Sequence, residues 1–343
     1  RFRNVTGVQT CALPILRNLS VVYRTFEGVL RAVNGIDLDL EAGRTLGLVG
    51  ESGAGKTTTA LSVMRLVPTP PGEIVSGSAT FEGRDLMTLP EREMMRIRGN
   101  RISMIFQDPM TSLNPVLPVG LQISEALEAH QKLGKAEAAR KAGQMLEKVQ
   151  IPAQRLQEYP HEFSGGMRQR VVIAMALACN PRLIIADEPT TALDVTIQIQ
   201  VLELMKELRN EFGTSMIMIT HDLGVVGEVC DRVAVMYAGE IVEDGDIAQI
   251  FDQPMHPYTV GLFKCIPNIE EPASTIHPIR GMMPDPLVPM PGCCFEPRCP
   301  EATARCATER PGGALVDGRR IRCHLYADGK RAFAHGRETV SHA

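Results

Sequence analysis

Residues 50–57 read Gly-Glu-Ser-Gly-Ala-Gly-Lys-Thr and fit the pattern G-x-x-x-x-G-K-[ST] without mismatch. The chemistry implied is the gripping of phosphate. Gly50, Gly53 and Gly55 lack a Cβ, so successive backbone N–H groups, with Ser52 between them, curl around an anion. A helix opening at Thr58 adds about half a positive charge at its N-terminus. Lys56 would reach the β- and γ-phosphates of a nucleotide, and the Thr57 hydroxyl would take one position on Mg²⁺.

Other residues downstream suit the same chemistry, though none decides it singly. Leu183–Glu188 is an apolar stretch ending in two carboxylates. Asp187 would hold the water shell of Mg²⁺ and Glu188 would polarise an attacking water; a pair of solvated acids at a strand end reads equally well. Ser164-Gly165-Gly166 opens a helical pattern, and is either a second anion-binding turn or an ordinary helix cap. His221 follows an apolar stretch, where a histidine contacts a γ-phosphate or, more commonly, plays a structural part. Gln107, at the end of Ile102–Phe106, would sense the metal or the water, but a lone glutamine carries almost no information.

These residues must be positioned by strands and helices. Leu19, Val21 and Tyr23 alternate like a strand, and Ala32–Leu40 and Thr45–Val49 follow. Further strands are expected at Ala79–Phe81, Ile102–Phe106, Leu183–Ala186, Ser215–Thr220, Val233–Tyr237 and Glu240–Glu243. Helical periodicity marks Thr58–Leu66, Glu91–Ile97, Val119 to about Gln150, Arg168–Ala178 and Ile197–Phe212. Alternating strands and helices imply an α/β fold with parallel β-α-β units. The helix-rich block of about 107–179 interrupts that alternation and reads as a subdomain. After about Met255, proline, glycine and cysteine rise and periodicity fades. Residues 256–330 are therefore expected to form a smaller loop-rich domain, and 331–343 a tail.

Composition narrows the classes. The chain has 343 residues, 44% of them hydrophobic and 22% charged, which is enough for about two globular domains. A net charge of −4 gives no sign of a nucleic-acid binder. No run of about 18 apolar residues is present, so a membrane role would come through partner subunits. Val5–Ile15 reads VTGVQTCALPI, which resembles the translation of a sequencing-adapter oligonucleotide. Residues 1–15 are set aside as non-native, with the true start lost.

The order of the motifs is what decides. The sequence resembles the ATP-binding cassette family: Walker A at Gly50–Thr57, the Q-loop glutamine Gln107, the signature turn Ser164–Met167, and Walker B ending at Asp187 with Glu188. The D-loop Ala192-Leu193-Asp194 and the switch histidine His221 complete the series. The resemblance implies a RecA-like P-loop core over 16–255 with a helical subdomain. By position, Tyr23 matches the aromatic that stacks on adenine, with Phe26 as the fallback. Met167 stands where the family usually has glutamine. In this family two ATPase subunits sandwich two ATPs head to tail. Ser164, Gly165 and Gly166 would thus serve the partner's nucleotide, while Glu188, His221 and Gln107 act on the chain's own.

Longer phrases, residues 105–115, 159–170 and 256–259, look like the oligopeptide/dipeptide importer ATPases, and the Met after Ser-Gly-Gly like their D-type subunit. That resemblance implies a second, different ATPase subunit, two permease subunits and, indirectly, an extracytoplasmic substrate-binding protein, with this chain peripheral on the cytoplasmic face of the membrane. Peptides are the expected cargo; nickel, glutathione or sugars are the alternative. A DNA-maintenance clamp would need a long coiled coil between the motifs, and a translation factor a second P-loop; neither is present. An exporter subunit fits the importer phrases poorly.

Of nine cysteines, five crowd into Cys293–Cys323. Cys293, Cys299, Cys306 and Cys323 are separated by five, six and sixteen residues. The text around them resembles the family's C-terminal motif, where some members bind a 4Fe–4S cluster. Four thiolates suit that cluster or zinc, and the lack of a C-x-x-C pair favours iron–sulfur. Cys294 stands where the family usually has proline, and Cys179, Cys230 and Cys265 read as core.

Overall fold

The computed structural model describes residues 15–191, 193–265 and 278–327. The adapter-like segment up to residue 14, Ala192 of the D-loop and the tail at 331–343 lie outside the described residues.

Strands come in the order β1 (Ile15–Thr25), β2 (Gly28–Asp39), β3 (Thr45–Val49), β4 (Gly72–Phe81), β5 (Arg84–Asp85), β6 (Ile102–Ile105), β7 (Leu183–Asp187), β8 (Ser215–Thr220), β9 (Arg232–Tyr237), β10 (Glu240–Asp246), β11 (Ala314–Val316) and β12 (Arg319–Ile321). They build two sheets. One is antiparallel, in the order β2-β1-β4-β5. The other is mixed, in the order β11-β12-β10-β9-β3-β8-β7-β6. Within it β9, β3, β8, β7 and β6 run parallel, and β10 and β12 turn antiparallel at one side.

The parallel strands are mostly apolar because both faces are covered. Alternate side chains enter opposite cores. Along β8, Met216 and Met218 join one cluster, Ile217 and Ile219 the other. The second cluster lies between the two sheets and takes Leu16, Leu19, Val33 and Phe81 from the antiparallel sheet. The first packs the opposite face against helices.

Helix α1 (Lys56–Val63) follows β3, and α2 (Glu91–Ile97) precedes β6. Between β6 and β7 come α3 (Pro109–Ser112), α4 (Val119–Gln131), α5 (Lys135–Lys148) and α6 (Gly165–Leu177). The single helical stretch expected from Val119 to about Gln150 is two helices, because Lys132 turns left-handed at φ 54° and Gly134 starts α5. Helix α7 (Val195–Phe212) opens where the Asp194 carboxylate accepts from Ile197 N–H, and closes at Gly213 with φ 62°. Helices α8 (Leu223–Val229), α9 (Ile247–Asp252) and α10 (Pro257–Lys264) complete this part.

Strand β4 also differs from expectation. It begins at Gly72, not Ala79, because its exposed first half has no apolar alternation to reveal it; pairing with β1 supplies the order. The described part of the loop-rich region after Met255 packs on the cassette. Strand β12 hydrogen-bonds β10 of the main sheet, and Tyr258 and Phe295 are buried in the helix-side core.

Candidate functional site

The site lies at the carboxyl ends of the parallel strands, where open α/β sheets bind ligands. Strand β3 leads into Gly50–Thr57, β7 ends in Asp187 and Glu188, β8 leads to His221, and β6 leads to Gln107. Side chains far apart in sequence thus share one edge.

The phosphate loop needs its glycines for space. A Cβ on Gly50 would stand 2.1 Å from Met236 O, and one on Gly55 2.3 Å from Ala32 O. Gly53 and Gly55 also have φ of 81° and 104°. Lys56 is buried, and its Nζ donates to Gly50 O at 2.7 Å and Glu51 O at 2.9 Å. Burial lowers its pKa, against the opposing pull of Glu188, Asp187 and Glu51.

Asp187 is buried, and that burial raises its pKa; a hydrogen bond from Thr57 opposes the rise, Glu188 adds to it, and Lys56 opposes it. Glu188 sits in the left-handed region at φ 47°, held by its N–H donating to Ile219 O at 2.9 Å. Its Oε2 accepts from Gln107 Nε2 at 2.7 Å and Thr191 Oγ1 at 3.0 Å, and its Oε1 lies 3.0 Å from His221 Nδ1. Partial burial opposes ionisation, but the bonds from His221 and Thr191 and the charges of His221 and Lys56 win, so its pKa is lowered.

A cavity of about 500 Å³ is lined by Tyr23, Ser52, Gly53, Gly55, Lys56, Thr57, Thr58, Gln107 and Glu188. Tyr23 Oη lies 3.4 Å from Thr58 Oγ1, whereas Phe26 is 99% exposed and does not line it. Tyr23 is therefore the aromatic at this site. Ser164, Gly165 and Gly166 stand elsewhere, at the start of α6, with Ser164 Oγ accepting from Met167 N–H at 3.4 Å.

Two features were not anticipated. Thr191 braces Glu188, although a threonine three residues on gives no sequence signal. Residues 283–286 and 288–290 also line the cavity. Their prolines mark only a loop, and nothing local says where that loop lies.

Cys293, Cys299, Cys306 and Cys323 line a separate cavity of about 280 Å³, with His256 and His324. Among the described residues, no group of three or more His, Cys, Asp or Glu side chains is placed to hold a metal ion. Cys294 is not among that lining but lines the nucleotide-side cavity, with Sγ 3.8 Å from Tyr237 O. A bond from Cys294, and His256 beside it, hold the Cys293 thiol below the ordinary range despite burial. Burial pushes Cys299 up to about 11 and Cys323 up to about 12. Cys179 and Cys230 are buried, while Cys265 is half-buried.

Comparison with known proteins decides the family. A family profile described as ABC transporter matches residues 33–191, and one described as the oligopeptide/dipeptide transporter C-terminal region matches 242–306. The oligopeptide transport ATP-binding protein AppD of Bacillus subtilis (strain 168) is 50% identical over 316 residues, covering 91% of this chain and 96% of that protein. This chain belongs to the ABC transporter ATP-binding proteins. The OppD protein of Salmonella typhimurium, also an oligopeptide transport ATP-binding protein, is 50% identical over 310 residues, 90% of this chain and 92% of that one. Among solved structures, the ATP-binding cassette MJ0796, dimeric and bound to ADP and Pi in a post-hydrolysis state, is 26% identical. It superposes with a TM-score of 0.62 over 68% of this chain and 99% of that one. Strands β1 to β10 and the helices between β6 and β7 are thus an ABC ATPase cassette. Among its described residues no helix is long and apolar enough to cross a membrane.

Proposed function

We propose that this chain is the ATP-hydrolysing subunit of an importer for oligopeptides or dipeptides. The observation that carries it is the convergence of Lys56, Thr57, Asp187, Glu188, Gln107 and His221 at one strand edge, in a chain half identical to peptide-transport ATPases. Phosphates bind the loop N–H groups and Lys56. The Thr57 hydroxyl and Asp187 carboxylate are hard oxygen donors that suit Mg²⁺, which when bound neutralises phosphate charge. Glu188, kept ionised by its donors, orients and polarises the attacking water, while His221 and Gln107 fix the carboxylate in place. Ser164–Gly166 lies outside this cavity, which fits its serving the nucleotide of a second ATPase subunit.

The cassette spans 16–255, with a helical subdomain at about 107–179 that receives the permeases, and the C-terminal domain spans 256–330. The full assembly is a heterodimer of ATPases under two permeases, fed by a binding protein, with this chain on the cytoplasmic face. The four cysteines suit a 4Fe–4S cluster better than zinc. The spacing lacks the C-x-x-C pairs of a zinc ribbon. A cluster spreads its thiolates over separate irons, and all four cysteines share one cavity. About four irons per chain in anaerobically purified protein, lost with Cys323→Ser, is the expected result; stoichiometric zinc refutes it.

Uptake tests the main reading. Proteoliposomes carrying the assembled importer should accumulate labelled tripeptide only with internal ATP, and Lys56→Ala should abolish accumulation. Undiminished uptake with that variant removes this chain from the energising step. Uptake of nickel or a sugar in place of peptide changes the cargo alone.

A further inference from the structure

The nucleotide cavity has a wall that no motif supplies. Met283, Pro284, Pro286, Val288, Pro289 and Met290 line it together with Tyr23 and the phosphate loop. This segment is pinned along its length. The Arg298 side chain donates to Ile279 O at 3.4 Å and Arg280 O at 3.1 Å, and to both Glu51 carboxylate oxygens at 3.0 Å. Pro286 O accepts from Arg31 N–H at 3.0 Å, and Met290 O accepts from Arg310 at 3.3 Å. Between the anchors, Met283 Cε lies 3.2 Å from where a Cβ on Gly53 would stand, and Leu287 packs beside Gly28. Asp285 holds the turn, accepting from Leu287 N–H at 2.9 Å.

The two ends of the cavity differ in chemistry. The loop end offers N–H groups and an ammonium, which suit phosphate. The 283–290 end offers methionine thioethers and prolines, which have no N–H to donate, and one carboxylate, Asp285. Arg31 and Arg310 also line the cavity, but the thioethers and prolines suit the face of an aromatic ring better than a phosphate. The anchoring strand is itself part of the base end. Arg31 follows Leu30, Leu30 pairs with Tyr23 across the hairpin, and all three line the cavity.

We propose that residues 283–290 form the second wall of the base pocket, so that the adenine ring lies between Tyr23 and this chain's own C-terminal segment. Met283 and Pro286 are the specificity-determining residues of that wall. The inference rests on the ATP reading above, and the base and the phosphates are therefore tested separately. The probes are ADP and inorganic tripolyphosphate, titrated calorimetrically into the full chain with Mg²⁺. Combining Met283→Ala with Pro286→Gly should weaken ADP on the order of tenfold, about 1.4 kcal/mol, and leave tripolyphosphate unchanged. Unchanged ADP affinity, or an equal loss for both probes, overturns the proposal. Wild-type protein that binds neither probe overturns the ATP reading itself, and the proposal with it.

A second measurement avoids truncating the wall. The chain contains no tryptophan. Met283→Trp therefore introduces a single tryptophan at the wall, excited selectively to the red of tyrosine absorption. ADP should quench its emission and tripolyphosphate should not. No response to saturating ADP, or the same response to both probes, refutes contact with the base.

Discussion

Replacing Glu188 with glutamine separates positioning from chemistry. The carboxylate receives Gln107 and Thr191 on Oε2, and His221 Nδ1 faces Oε1. The new amide keeps one acceptor and gains an –NH₂ donor. Two definite donors meet Oε2, so the amide oxygen must take that side, leaving –NH₂ toward His221. Nδ1 accepts in one neutral tautomer, so all three contacts survive. Structure and nucleotide affinity should therefore change little, by roughly 1 kcal/mol or less for neutral in place of charged hydrogen bonds. The loss falls on the step in which the water is polarised. A positioned general base contributes about 10²–10⁴-fold, or some 2.7–5.4 kcal/mol of barrier. The assay is single-turnover phosphate release from MgATP by the assembled ATPase pair, alongside equilibrium binding of ATP. Release within tenfold of wild type would show that Glu188 does not act on the water. Collapse of binding together with hydrolysis would show a structural role instead.

Asp187→Asn should trade function for stability. Burial raises the Asp187 pKa above its unfolded value, so its ionised form is disfavoured in the fold. At neutral pH the variant should melt on the order of 2 °C higher while losing Mg²⁺-dependent ATP affinity; the gain should fade as pH falls through the folded pKa, where the wild-type carboxyl is protonated. A variant less stable than wild type at pH 7 contradicts the burial argument. Ser164→Asp should leave ADP affinity of the chain alone within about twofold, because Ser164 does not line the Lys56 cavity, yet cut hydrolysis by the ATPase pair by on the order of 10²-fold. Weakened binding to the isolated chain would place Ser164 at its own nucleotide. Phe295 is buried, with ring centroids 5.2 Å from Tyr237 and 5.4 Å from Tyr258. Phe295→Ala should cost about 3–5 kcal/mol in chemical denaturation of the whole chain. A separate low-stability transition that alone shifts would mean the C-terminal segment folds independently.

Much of the site was legible because its parts are local. Gly50–Thr57 carries its function in eight consecutive residues, and each glycine answers a backbone need at its own position. The parallel strands were legible because burial on both faces makes Leu183–Ala186 of β7 and Met216–Ile219 of β8 continuous apolar runs. Strand β4 was half legible, since Glu73–Gly77 takes its order from β1 and not from an apolar face. The α4–α5 break was missed because Lys132 adopts a left-handed turn that glycine or asparagine usually signals. Thr191, Arg298 and residues 283–290 were invisible for another reason: each acts through partners whose proximity only the folded chain creates.

Arg298 makes that last point concrete. One guanidinium joins Glu51 of the phosphate loop to the carbonyls of Ile279 and Arg280, and donates to Tyr237 Oη at 3.3 Å. Beside it, Tyr258 Oη accepts from Glu51 N–H at 3.0 Å. The phosphate loop is thus bonded to the segment that carries the cysteines, with Arg298 next to Cys299 in the chain. The Arg298 side chain is only 5% exposed, so its charge must be matched in place. Glu51 is the carboxylate that matches it. Removing that partner from a buried charge costs more than the pair contributes while intact. Glu51 occupies a variable position of the G-x-x-x-x-G-K-[ST] pattern, so its identity is set by the C-terminal segment and not by the phosphate. Phosphate grip and C-terminal fold are therefore not separable properties of this chain, and a substitution at Glu51 should register in both.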